Sequence, residues 1–97
     1  MSTYIEGALI IGVPANTIAN SQEEFEEKFE ELYAENNEIG VFGQEYEEYE
    51  TAYVGIKVLE DGIIEDRTTL SDKIELTMEK CLDIFYKPQL INTFYRY

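Results

Sequence analysis

AYVGIKVLEDGII, residues 52–64, decides what kind of fold this chain makes. Its period is two: Ala52, Val54, Ile56 and Val58 fall on one side of an extended chain, and Tyr53, Gly55, Lys57 and Leu59 on the other. Asp61-Gly62 follows, a dipeptide favoured in tight hairpins because both central residues need positive φ. Ile63 and Ile64 then begin the return. A strand that turns straight back on itself predicts an antiparallel sheet.

The flanking segments supply the other layers. Tyr4 to Val13 is a β-prone run carrying Ile5, Leu9, Ile10, Ile11 and Val13, and it ends at Pro14. Ser21 with Glu24 three residues later is a capping box, so a helix should start at Gln22. Its apolar stripe of Phe25, Phe29, Leu32 and Tyr33 should face the core. Asn36 and Asn37 end it, and Ile39 and Val41 predict a short strand near 38–42. Phe42, Tyr46, Tyr49 and Tyr53 fall at helical spacing, so a helical turn or ordered loop is expected between that strand and the next. Downstream, Thr69 or Ser71 caps a second helix, with Ile74, Met78, Cys81, Leu82 and Phe85 on one side and Pro88 as its stop. Leu90 to Tyr97 is a closing strand. The order β-α-β-β-β-α-β over one domain, residues 1–97, predicts an α+β fold. Its sheet should be mainly antiparallel, of four to five strands, with two helices packed on one face.

Composition bounds the function. The chain has 97 residues, 44% of them hydrophobic and 13% aromatic, which is enough for one core and argues against disorder. Its formal charge of −14 sets it against direct contact with nucleic acid or an anionic membrane, both of which need a positive footprint. The apolar run ALIIGV at 8–13 is far too short to span a bilayer. One cysteine cannot form an internal disulfide, and no basic-then-apolar leader opens the chain, so the cytoplasm is the expected compartment.

Little in the inventory points to catalysis. There is no histidine, the usual general base and the commonest transition-metal ligand. Cys81 lies on the apolar side of its helix and reads as a small core residue. EDGIIED at 60–66 lacks the ligand spacing of a calcium loop, and IGVFG at 39–43 lacks the Lys-Ser/Thr that follows the glycines of a phosphate loop. A non-enzyme without metal or cofactor is expected.

The charge is unevenly placed. Residues 20–50 hold twelve glutamates against the single Lys28, a net of −11, while all other residues hold nine acids and six bases, a net of −3. On the first helix Glu23, Glu26, Glu27, Glu30 and Glu31 should face solvent. At i+3 and i+4 their carboxylates stand ~5–6 Å apart, the same order as the ~3.4 Å rise between phosphates along a nucleic-acid strand. QEYEEYE at 44–50 adds Glu45, Glu47, Glu48 and Glu50 with Tyr46 and Tyr49 between them, rings suited to anchoring a protein contact. For the helix alone, a solvated, solubilising face is the simpler account. The self-repulsion of so much charge in one third of the chain is what favours an interface.

In size and composition, residues 21–50 resemble the small acidic proteins of phages and mobile elements that mimic DNA and block restriction, CRISPR or repair enzymes. The resemblance implies an anti-restriction or anti-CRISPR type of inhibitor whose partner is a basic nucleic-acid-binding protein. The eleven residues just named from Glu23 to Glu50 are then its contact surface. The alternative is a small adaptor or homodimerisation module working through the aromatic strand INTFYRY at 91–97.

Overall fold

The computed structural model describes residues 5–43, 49–60, 63–64 and 66–96. The fold is α+β, as the sequence predicts. Strand β1 (Ile5–Pro14) leads through a short 3₁₀ turn at 15–17 to helix α1 (Gln22–Glu35), followed by β2 (Gly40–Phe42) and a second 3₁₀ turn at 49–51. Then come β3 (Tyr53–Lys57), the short pair β4 (Leu59–Glu60) and β5 (Ile63–Ile64), helix α2 (Arg67–Leu82) and β6 (Gln89–Arg96).

Four of these strands form one antiparallel sheet in the order β2-β3-β1-β6, so the opening and closing strands lie side by side. Among the described residues, β4 and β5 pair only with each other. The main sheet therefore has four strands, and the hairpin read from Asp61-Gly62 is separate from it. Those two turn residues lie outside the described residues.

Alternation along β1 and β3 puts Ile11 opposite Ile56 and Val13 opposite Val54 on one face. These four join Phe25 and Leu32 of α1 and Leu70, Ile74 and Met78 of α2 in a single core. Both helices therefore lie on the same face of the sheet. Ala52, Val54, Ile56 and Val58, the side chosen by the period of two, are all buried.

The other face closes on itself. Gly12 and Gly55 sit opposite each other, and a Cβ at Gly12 would stand 2.2 Å from the Val54 carbonyl oxygen. With no side chain between them, the strands can cross this closely and the sheet can curl. Just past β2, the Gly43 N–H donates to the Phe94 carbonyl at 2.6 Å, although two strands lie between β2 and β6 in the sheet. Ile10 and Phe42 are buried on this side, outside the main core.

Three local expectations need correcting. The cap of α2 is Asp66, whose Oδ1 accepts the N–H groups of Thr68 (2.8 Å) and Thr69 (3.2 Å), so the helix begins at Arg67, ahead of both Thr69 and Ser71. A carboxylate is as good a cap as a hydroxyl and also favours the positive end of the helix dipole. The helix stops at Leu82 because Asp83 adopts the left-handed conformation, φ 56°. Phe85 therefore falls beyond it and is 73% exposed. Tyr33, read as a core residue, is 52% exposed at the end of the α1 stripe.

Candidate protein-binding surface

Helix α1 carries the surface, and its start is fixed locally. The Ser21 hydroxyl accepts the Glu24 N–H at 3.1 Å, and the Glu24 carboxylate accepts the Asn20 N–H at 3.1 Å. Glu23 and Glu24 in the first turn suit the helix dipole. Its last turn holds no basic residue, so Glu35 there opposes the dipole.

Compensation comes from α2. Lys80 Nζ bonds Glu35 at 2.5 Å and Lys73 Nζ bonds Glu38 at 3.3 Å, while within α1 Lys28 pairs with Glu24 at 3.3 Å. The hydrogen bond to Glu35, reinforced by its charge, raises the Lys80 pKa above the usual lysine value. On the same flank the Cys81 thiol reaches the Glu31 carbonyl at 3.8 Å, and burial followed by the nearby Glu35 charge raises its pKa. A raised thiol pKa means less thiolate and a less reactive sulfur.

Helix α1 thus has two unlike flanks. Glu35, and Glu38 just past the helix end, are paired with lysines of α2, and Glu24 is paired with Lys28 of α1 itself. Glu23, Glu26, Glu27, Glu30 and Glu31 are all exposed, Glu31 at the border with α2 beside Cys81, and none has an ion-pair partner among the described residues. The five residues expected on the solvent side of this helix are brought together there as a continuous acidic surface.

The second acidic stretch is only partly visible. Glu45, Tyr46, Glu47 and Glu48 lie outside the described residues. The 3₁₀ turn that follows docks at the start of α1: the Tyr49 N–H donates to Gln22 Oε1 at 3.0 Å, and the Tyr49 ring stacks on Phe25 with centroids 6.1 Å apart. Tyr49 is half-buried against the core, and Glu50 beside it is exposed. Glu50 therefore extends the acidic surface past the N-terminal end of α1.

One feature of this surface was not anticipated. Phe25, Phe29 and Tyr33 form a ladder of rings with centroid spacings of 6.2 and 6.0 Å, running from the core out to solvent along the flank that faces β2. Between α1 and β2 lies an open groove of about 350 Å³ lined by Gln22, Phe25, Glu26, Phe29, Glu30 and Val41. The four-residue steps of the rings are legible in sequence, but not that Phe25 and Phe29 share a groove with Val41, Glu26 and Glu30.

Among the described residues, no group of three or more acidic or cysteine side chains is arranged to hold a metal ion, and no helix is long and apolar enough to cross a membrane. Compared with protein-family models, characterised proteins and solved structures, the chain matches none.

Proposed function

We propose that this protein is a non-enzymatic inhibitor that imitates nucleic-acid phosphates and occupies the binding channel of a basic DNA- or RNA-handling protein, in the manner of anti-restriction or anti-CRISPR proteins. The observation that carries the reading is the asymmetry of α1. Lys28, Lys73 and Lys80 pair with Glu24, Glu38 and Glu35, while Glu23, Glu26, Glu27, Glu30 and Glu31 are exposed with no ion-pair partner among the described residues. A solubilising surface gains nothing from holding like charges one helical turn apart, where each close pair costs a few tenths of a kcal/mol. A partner lined with arginine and lysine would turn that cost into attraction. The adaptor reading through β6 is the alternative: β6 pairs with β1 along one edge and stands last in the sheet order.

Capture from a bacterial lysate tests the reading. The immobilised protein should retain nucleic-acid-binding proteins that duplex DNA or added salt elutes. A variant with all five glutamates changed to glutamine should retain none of them. Retention of the same proteins by wild type and variant, or elution insensitive to DNA, would refute it.

A further inference from the structure

We infer that the groove between α1 and β2 receives an arginine side chain of the partner, so that the acidic surface contains a residue-specific socket as well as a field of charge. The inference rests on the inhibitor reading above and adds the chemistry of one contact. Apolar and acidic groups meet in this groove without a lysine or arginine among its lining residues, unlike the pocket beside the end of α2, where Lys87 joins Glu75, Glu79 and Phe85. Phe29 is half-buried, Tyr33 continues its ring surface into solvent, and Val41 of β2 forms the opposite wall. Glu26 and Glu30, one turn apart, stand on the rim.

The two acids are held differently. Glu26 accepts a hydrogen bond from Gln22 Nε2 at 3.1 Å, and Gln22 in turn accepts the Tyr49 N–H at 3.0 Å. Glu26 is therefore oriented before any partner arrives. Glu30 has no partner among the described residues and is free to close on a guest.

Each feature selects against other guests. An aliphatic side chain would fill the groove but strip water from Glu26 and Glu30 without replacing its hydrogen bonds. A lysine ammonium would satisfy the charge, but as a compact and strongly hydrated ion it gains little from ring faces. Arginine has an apolar stem for the wall at Val41, a planar head that stacks on an aromatic ring, and a fork of donors wide enough to engage both carboxylates. Charge complementarity and ring stacking together single out the guanidinium.

Binding of two short peptides, hexa-arginine and hexa-lysine, tests this without knowing the natural partner. At low salt the arginine peptide should bind about three- to ten-fold more tightly than the lysine peptide, the range of one partly desolvated cation–π contact. Its amide chemical-shift changes should centre on Gln22, Glu26, Phe29, Glu30 and Val41. Phe29→Leu, which keeps the apolar filling, and Glu30→Gln, an exposed change that leaves folding intact, should each erase the arginine preference. Glu27→Gln should weaken both peptides alike. Equal affinity for the two peptides, with shifts along Glu23, Glu27 and Glu31, would overturn the socket and leave the acidic-surface reading standing. Failure of both peptides to bind would overturn the socket and the acidic-surface reading together.

Discussion

Gly12 shows how much of this architecture hangs on one missing atom. The Val54 carbonyl oxygen would lie 2.2 Å from its Cβ, and that oxygen belongs to backbone that is itself locked into the β3 ladder. Neither strand can yield without dragging its neighbours. Gly12→Ala should therefore cost at least about 2 kcal/mol, as overpacking at a rigid site does, read as a lower midpoint in chemical denaturation. Gly43 is constrained in another way: its φ of 70° is a conformation that a Cβ makes costly, and the Thr93 hydroxyl would meet that Cβ at 2.6 Å. The sequence shows glycines inside strand-like runs, which marks a bulge or a close approach without saying which strand is approached. That pairing is a long-range fact, and only the assembled sheet contains it.

Elements were legible where a short-range signal sets them. The box at Ser21 and Glu24 specifies the start of α1, and the alternation from Ala52 to Val58 specifies β3 and its buried side. The start of α2 is not set by a single local signal, because Asp66, Thr69 and Ser71 are all acceptable caps, and the structure uses Asp66. Asp66→Ala should accordingly destabilise the protein by about 1 kcal/mol, typical for the loss of a capping side chain, whereas Ser71→Ala should change thermal stability little. The sequence predicted an acidic outer face for α1 but not its two flanks. Lys73 and Lys80 are seven residues apart, two turns along one side of α2, yet nothing local says that this side meets Glu35 and Glu38. The same gap hid the groove, since Val41 and Phe29 become neighbours only when β2 docks beside α1.

At the scale of the whole molecule, the charge of −14 works against folding, and under the proposed function the same charge would attract the partner. Salt screens exposed charges within ~10 Å at 0.1 M, so the melting temperature should rise as sodium chloride is added from low concentration. The variant with glutamine at positions 23, 26, 27, 30 and 31 should melt higher at low salt and respond less to salt. That outcome would show that the five glutamates repel one another in the free protein, a cost that the proposed partner would relieve. The most direct test of the central claim is a competition measurement with a protein captured through α1. Labelled duplex DNA bound to that protein is titrated with wild type and with the five-glutamine variant while fluorescence anisotropy is followed. Phosphate mimicry predicts that wild type displaces the DNA completely, that displacement weakens as salt rises, and that the variant displaces none. Binding of both DNA and wild type to the captured protein at once, with anisotropy undiminished, would contradict the account.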